Sequence, residues 1–489
     1  MTELHGPWLE MAIAAPIVGA LWLLRIHNSE SARLHSVAFT GLALACSIAA
    51  WLDFSGLQCS EAHDRWSVGW HAARVEPFVI DELSAPLLPM AALLYFVTCL
   101  ATLRTKARRF SFGWMLLSEG ILLATFSCRH PWGIIALMAL GAAPPLGELH
   151  ARRRPMRVFA IHMGAGVGLL AAGWLLVENA AAGSPPPIVG IALLMAAVLM
   201  RSGIAPTHCW MTDLFEHASF GSALLFVTPM VGVYAGVRLL LPIAPDWALR
   251  GIALVSLATA VYAAGMALVQ REARRFFCYI VLSHSSLVLV GLEMATPVGL
   301  AGALCLWISV GLALTGFGLT LRSIEARKGR LLLSQFHGLY EHTPMLAAFF
   351  LITGLASIGF PGTIGFVGAE LLIEGAVDVY PLVGMAVVIA AALNGVAVLR
   401  AYTKLFTGRR YHPSVSLKCR GPERTAVLTL TLLIFGGGIV PQPGLSSRYH
   451  AAEEVIRARR IALGDAARIA ARRTSARFGD GDLHGDPAN

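Results

Sequence analysis

The sequence predicts an all-α polytopic membrane protein of about fourteen transmembrane helices, some of them broken. Three observations lead there. Hydrophobic residues fill 56% of the 489 positions and charged residues only 14%, with a mean hydropathy of +0.66, a composition outside the range of soluble domains. Apolar runs of about 18–25 residues, long enough to cross a bilayer, recur along most of the chain. Lys and Arg gather in alternate loops, as the basic excess of cytoplasmic loops requires.

The runs fall near 8–25, 35–53, 82–103, 110–127, 131–148, 157–178, 187–206, 219–241, 248–270, 276–295, 297–321, 343–379, 382–407 and 423–440. The run at 343–379 is too long for one straight helix and reads as a single crossing interrupted at Pro361-Gly362. Basic loops ("RTKARRF", "ARRRPMR", "QREARRF", "RSIEARKGR", "TGRRYHPSVSLKCR") alternate with basic-poor connectors ("VENAAAGSPPP", "LPIAPDW", "EMATPV", "VDVYP") and place the N-terminus outside. The formal charge of +9 therefore belongs to loops and tail, and no nucleic-acid partner is expected. The first run lacks a basic leader and a small-residue cleavage site, so no cleavable signal peptide is expected. The chain reads as a multi-pass protein of the cell's inner (plasma) membrane, with the lipid bilayer as its first partner.

Chemistry of its own is not expected. The eight cysteines are scattered, without CxxC or Cys/His spacing suited to zinc. No phosphate loop, GxSxG elbow or dinucleotide fingerprint is present. No catalytic site, metal or cofactor is therefore assigned, and any redox or hydrolytic step belongs to another chain.

What remains is the set of ionisable residues inside apolar runs. Each costs about 2.5–3.5 kcal/mol on insertion scales and so tends to face a partner or water. The set is Glu119, His162, Arg201, His208, Arg238, His284, Glu370, Glu374, Arg400 and Lys404. Arg238, Arg400 and Lys404 lie near span ends, where snorkelling to the headgroups accounts for them. His162 and Glu374 read equally well as edge or packing residues. Glu119, in "LLSEGILL", is central in its span. Arg201 and Glu370 adjoin helices interrupted by glycine and proline: "RSGIAPTH" with Gly203 and Pro206, and "GFPGTIGFVGAE" with Pro361 and Gly362. Such breaks free backbone carbonyls and admit water, and paired breaks in two halves of a chain point to a transport path at mid-membrane.

The stretch "APTHCWMTDLFEHASFGSALLFVTPMVGVYAGVRLLL" resembles the proline–histidine–tryptophan loop and following helix of the proton-conducting membrane transporter family. That family holds the antiporter-like L, M and N subunits of respiratory complex I, related hydrogenase subunits, Mrp antiporters and the membrane subunit of inorganic-carbon pumps. "FVIDELSAPLLPM", "EARRFFCYIVLSHSSLVLVG" and "GLASIGFPGTIGFVGAELLI" agree in order and spacing, so the resemblance covers roughly residues 78–410.

The resemblance implies two inverted five-helix repeats: N-terminal helices 1–3 over 1–107, a first repeat over 108–245, a second over 246–410, a fourteenth helix over 411–441 and a tail over 442–489. It also implies a conducting row: a glutamate in the fifth span, lysine in the seventh, a central lysine or histidine, and a charge in the twelfth. This sequence fills the row incompletely. Arg201 stands where the seventh-span lysine is expected, and arginine keeps its proton where lysine can release it; it fits an electrostatic gate better than a carrier. The fifth-span position offers only Met138 or Ala139, with Glu119 in the neighbouring span as substitute partner for Arg201. "LWISVGLALTGFGL" lacks the eleventh-span lysine. The twelfth-span charge falls on Ala369, with Glu370 one residue on. His284 matches the central titratable site, although a satisfied interior histidine explains it as well.

Two readings follow. In the first, protons pass by a modified route through Glu119, Arg201, His208, His284 and Glu370 with bound water, coupled to other subunits of a complex I-like NADH-quinone oxidoreductase or to a carbon pump with a carbonic-anhydrase-like partner. In the second, the fold is a non-conducting membrane anchor. The tail, "SSRYHAAEEVIRARRIALGDAARIAARRTSARFGDGDLHGDPAN", is read as a basic amphipathic helix ending in a disordered Gly/Asp-rich segment. Its arginines sit on the side that the loop rule assigns to the outside.

Overall fold

A computed structural model of the chain describes residues 2–64, 78–180, 185–292, 296–379, 381–408 and 418–479. Every apolar run named above falls on helix. The chain opens with strand β1 (Thr2–Leu4), helix α1 (Trp8–Leu23) and helix α2 (Ser29–Leu57). Strands β2 (Glu61–Asp64) and β3 (Ile80–Asp81) complete a small sheet of order β1-β2-β3, parallel then antiparallel. The Asp64 carboxylate accepts the backbone N–H groups of Leu9 (3.2 Å) and Glu10 (2.7 Å), so the sheet caps the exposed donors at the start of α1.

Then follow α3 (Leu87–Leu100), α4 (Phe112–Ser127), α5 (Pro131–Gly141), α6 (Ala143–Ala151), α7 (Arg157–Glu178), α8 (Ile188–Arg201) and α9 (Cys209–His217). The run at 219–241 is divided into α10 (Phe220–Val227), α11 (Val231–Ala235) and a π-helical segment, Gly236–Leu240. Beyond it lie α12 (Asp246–Val269), α13 (Ala273–Val290), α14 (Pro297–Lys328), α15 (Pro344–Ser357), α16 (Ile364–Val379), α17 (Pro381–Phe406), α18 (Gly421–Ile439) and α19 (Gln442–Gly479).

Among the described residues, eight helical segments are long and apolar enough to cross a bilayer, and α18 with the first half of α19 forms a ninth, bent by 79°. Five more apolar helices (α1, α3, α4, α8 and α15) are shorter. Glycine and proline divide the runs at 187–206 and 343–379, and α1, α3 and α4 are uninterrupted but only 16, 14 and 16 residues long, so length alone credits nine crossings where the sequence predicts about fourteen. The segment 220–240, α13 and α14 are the most enclosed, while α2, α7, α12 and α17 expose much of their surface, as helices facing hydrocarbon do. At the centre α14 meets α16 closely: a Cβ added at Gly302 would stand 2.7 Å from the Leu372 nitrogen, and one at Gly368 2.8 Å from the Leu306 nitrogen. Small residues let two membrane helices approach to backbone contact.

Ion pairs gather at the two ends of the bundle. At the N-terminal end Arg238 pairs with Asp81, Arg129 with Glu61 and Arg459 with Asp246. At the basic-loop end Arg274 pairs with Glu325, Arg327 with Glu423, Arg330 with Glu216 and Arg152 with Glu148. The tail, expected to become disordered, is helical to Gly479 and lies at the N-terminal end; its last residues, 480–489, fall outside the described ones. Arg448, Ala451, Ala452, Ile456 and Arg459 form one buried stripe. Arg448 donates to the carbonyls of Glu82 and Leu83, and Arg459 to the Ala244 carbonyl and the Asp246 carboxylate. Arg448 and Arg459 therefore serve the chain's own acceptors, while Arg457 and Arg460 are exposed.

Candidate functional site

Arg201 is the last residue of α8, where the apolar helix meets the segment Ser202–His208. Gly203 adopts φ +75°, a conformation that favours glycine, and Pro206 follows, so the helix stops inside the bundle and resumes at α9. The Met200 carbonyl accepts the Gly203 N–H at 3.1 Å and the Trp210 indole N–H at 2.9 Å. The Arg201 guanidinium lies 4.2 Å from the Phe226 ring centre and 5.7 Å from that of Trp210, a cation held by aromatic faces. Among the described residues no carboxylate pairs with it.

Beside Arg201 is a cavity of about 30 Å³, room for one water, lined by Tyr95, Ser118, Thr125, Met138 and Phe226 among others. Met138 thus stands in the cavity with the cation, at the place where the family resemblance calls for an acid. A second, smaller void of about 10 Å³ shares Tyr95, Ser118 and Leu225 and reaches Ser222 and Glu148. The Tyr95 hydroxyl and Ser118 Oγ are 2.8 Å apart. Glu148, on α6, is buried; one carboxylate oxygen accepts the Ser219 N–H at 2.9 Å and meets Arg152 at 2.9 Å, while the other has no partner. Ser219 and Ser222 place their hydroxyls 2.8 Å apart. A polar line therefore runs from Glu148 at the basic-loop end through Ser222, Ser118 and Tyr95 to Arg201 at mid-bundle.

Glu148 was absent from the sequence-based set because it closes a predicted span next to a basic loop. The one available signal was a lone carboxylate at that span end. Glu119, the expected partner of Arg201, is fully buried on α4 with neither carboxylate oxygen hydrogen-bonded. It lies near Tyr95 and Cys99 and does not line the Arg201 cavity, because one residue along a helix turns a side chain by about 100° from Ser118. Buried polar atoms without a partner are few in native proteins and mark places that water or a second group completes.

The remaining expected residues divide between contact with this region and separation from it. His208, half-buried in the break, lies 5.8 Å from Tyr262 and 6.1 Å from Tyr279, ring centre to ring centre, so the loop of the first half touches α12 and α13 of the second. Ala205 N–H adds a bond to Thr259 Oγ1 at 3.3 Å. His284 is buried in α13 with its Nε2 unpartnered; beside it in sequence, Ser283 Oγ accepts from Asn394 at 2.8 Å and donates to the Ala260 carbonyl at 2.9 Å. Pro361 and Gly362 lie between α15 and α16, as Gly203 and Pro206 lie between α8 and α9. Glu370, expected in the path, is exposed on the outer side of α16 with Glu374, four residues on. The opposite side of that helix, with Gly368 and Leu372, is the one turned to α14.

Arg238, read from sequence as snorkelling, is instead locked inside. Its two terminal nitrogens donate to both oxygens of Asp81 at 2.6 and 2.8 Å, and its Nε to the Tyr234 hydroxyl at 3.1 Å. That hydroxyl reaches the carbonyls of Phe126 (3.0 Å) and Cys128 (2.9 Å). By contrast, Arg400 is exposed and the Lys404 ammonium lies 3.8 Å from the Phe336 ring centre.

Interrupted apolar helices around buried ionisable groups define the class: a multi-pass membrane protein with a polar interior. Comparison with known proteins narrows it. Residues 164–394 match the family described as NADH:quinone oxidoreductase/Mrp antiporter, TM. The chain is 26% identical over 486 residues to NAD(P)H-quinone oxidoreductase chain 4 1 of Nostoc sp., covering 90% of each. It is 26% identical over 271 residues to NADH-quinone oxidoreductase subunit M of Rickettsia prowazekii, a match that spans 54% of this chain and 55% of that one. Its fold superposes on a chain of respiratory complex I from Thermus thermophilus with a TM-score of 0.80, at 24% identity, over 92% of this chain and 99% of the other. Over residues 164–394, a little under half of its length, the chain is thus similar to the NADH:quinone oxidoreductase/Mrp antiporter family, and over nearly all of its length it shares the fold of a respiratory complex I chain.

Proposed function

We propose that this chain is a proton-translocating subunit of a complex I-like energy-coupled complex in the cell's inner (plasma) membrane. The observation that carries the reading is the polar line from Glu148 to Arg201, in which two small voids share Tyr95, Ser118 and Leu225 and are lined by Glu148 and Ser222 at one end and by Arg201 at the other. Two five-helix repeats, 108–245 and 246–410, fit the pattern of breaks, since α8/α9 and α15/α16 interrupt the fourth crossing of each. The count of about fourteen crossings includes the shorter apolar helices. The names of the curated relatives favour a redox complex over a carbon pump as the setting.

In this reading Glu148 collects protons at the basic-loop end, and the Ser222, Ser118 and Tyr95 hydroxyls relay them inward. Arg201 keeps its charge throughout and sets the field that admits or repels the next proton. Glu119, with both carboxylate oxygens unpartnered, and His284, with its Nε2 unpartnered, receive and release. The test is proton flux in liposomes containing the intact complex. Arg201→Met, Glu148→Gln and Glu119→Gln should each lower flux while the complex still assembles; full flux in all three overturns the reading. A mild-detergent pull-down identifies the setting, with quinone-linked subunits expected and one large soluble zinc protein pointing to the carbon pump.

A further inference from the structure

We propose that the path continues past Arg201 to a second mouth at the N-terminal end: a charged vestibule roofed by α19, separated from the Arg201 cavity by an aromatic gate of Tyr234 and Phe126. This rests on the proton-translocation reading and adds the side and the place of the opening.

The vestibule is a cavity of about 180 Å³, room for several waters, lined by Asp81, Arg129, Arg238 and Glu454. Ala451, Val455 and Ala458 of α19 also line it, and Ala458 is itself exposed, so the roof reaches the surface. Four charged side chains around one void make it a place for water and ions and a poor place for an acyl chain.

The same two elements line the Arg201 cavity and adjoin the vestibule. Thr125 and Val231 line the cavity beside Arg201. The next residue of α4 is Phe126; one turn beyond Val231 is Tyr234, and one turn further Arg238 reaches the vestibule. Between the two voids the Phe126 and Tyr234 rings stand 5.1 Å apart, with Trp307 6.2 Å from Phe126 on the side of α14. All three are buried, so the rings form a dry plug. Tyr234 is polar at its tip, where its hydroxyl accepts from Arg238 and donates toward the Phe126 and Cys128 carbonyls. A proton arriving at the plug therefore meets a hydroxyl already wired to the Asp81–Arg238 pair.

The backbone supplies a means of opening. Met230 takes a left-handed conformation (φ +55°), so Val231–Leu240 is a segment of its own, beginning as α-helix and ending as π-helix. π segments are rare and recur at functional sites. Passing the extra residue along the segment turns Tyr234 by about 100° relative to α4 and withdraws the ring from Phe126. Arg238 and Asp81 then hold the charge at the vestibule floor.

The experiment uses the intact complex in vesicles with the N-terminal face outward, carrying Ala458→Cys and treated from outside with a membrane-impermeant cationic methanethiosulfonate. A cation attached there fills the vestibule, and proton flux is expected to fall at least tenfold against the same vesicles before treatment. Arg457→Cys, on the exposed side of α19, should label without loss, as should the wild type. Complete labelling at 458 with flux unchanged overturns the mouth and leaves translocation standing. Equal loss at 457 and 458 also overturns it, since the label then acts on assembly. A wild-type complex that turns over without moving protons removes the underlying reading and this proposal with it.

Discussion

The two halves of the bundle handle the polar groups they bury in different ways. The first, around α4 to α11, holds Glu119, Glu148, Arg201 and, with β3, the Asp81–Arg238 pair. The second, around α12 to α17, keeps its enclosed charges at the basic-loop end, where Arg274 pairs with Glu325, Arg327 with Glu423 and Arg322 donates to the Thr98 carbonyl and the Thr102 hydroxyl; deeper in the bundle it buries a neutral set: His284, Ser283, Asn394, and the unpartnered hydroxyls of Ser309 and Thr315. Its carboxylates on α16 face outward. Charges in hydrocarbon need a partner, an aromatic face or water, and the first half supplies all three. The contrast is one of placement: the first half carries Arg201 and Glu119 at mid-bundle without an ion-pair partner among the described residues, while the second is joined there through hydroxyls and amides.

Stability should show the largest difference. Asp81 and Arg238 are bidentate and enclosed, so Asp81→Asn leaves a guanidinium buried against half a partner, a loss of about 3–5 kcal/mol. Asn394→Ala breaks one neutral bond to Ser283 and should cost only about 1–2 kcal/mol. Unfolding of the purified chain in detergent measures both. Equal losses would remove the distinction between the halves.

Flux comes next. Glu148→Gln keeps the acceptor for the Ser219 N–H but cannot take up a proton, so flux should fall about tenfold, roughly 1.4 kcal/mol of barrier, with assembly intact. His284→Gln keeps a neutral hydrogen-bonding group in the second half and should cost less. The comparison is inverted if His284→Gln proves the more damaging.

These contrasts were only partly legible in the sequence. Hydropathy placed every apolar run on a helix, and glycine with proline marked both breaks, because those signals are local. Arg201 stood out for the same reason: a guanidinium closing an apolar helix has few explanations. Groups whose role depends on distant chain were misread. Arg238 looked like a snorkelling residue because Asp81, which encloses it, lies 157 positions away. The burial of Glu148 depends on Ser219, 71 positions on. The arginines of the tail looked misplaced until α19 was seen to lay Arg448 on the carbonyls of Glu82 and Leu83.

A smaller effect separates the sheet that caps α1, the helix packed on α4, from the rest. Burial raises the Asp64 carboxyl to about 6, and the nearby Glu10 charge adds to the rise, although the Leu9 and Glu10 N–H groups oppose it. The unfolded carboxyl titrates near 3.9. Between these values the folded chain holds a proton that the unfolded chain has released, so Asp64's contribution is full below about pH 4 and lost as pH rises through 6. Asp64→Asn stays neutral throughout. The wild type should therefore lose a few degrees of unfolding temperature relative to the variant between pH 4 and 7, whereas a constant difference would mean that Asp64 does not titrate in this range.

The smallest effect is expected at Glu370, where sequence and structure part most clearly. Its place beside a glycine-proline break made it a candidate for the path, but a break fixes only where a helix starts. What a residue faces depends on the phase of the helix that follows. α16 starts at Ile364 and turns Gly368 and Leu372 to α14, where Gly302 leaves room for backbone contact. Glu370 and Glu374, one turn apart, then share the outer face. Glu370→Gln should leave flux within twofold of wild type, while Glu148→Gln lowers it about tenfold. A tenfold loss at Glu370 would return the second half to the path, because an outward carboxylate could matter that much only if protons crossed that face.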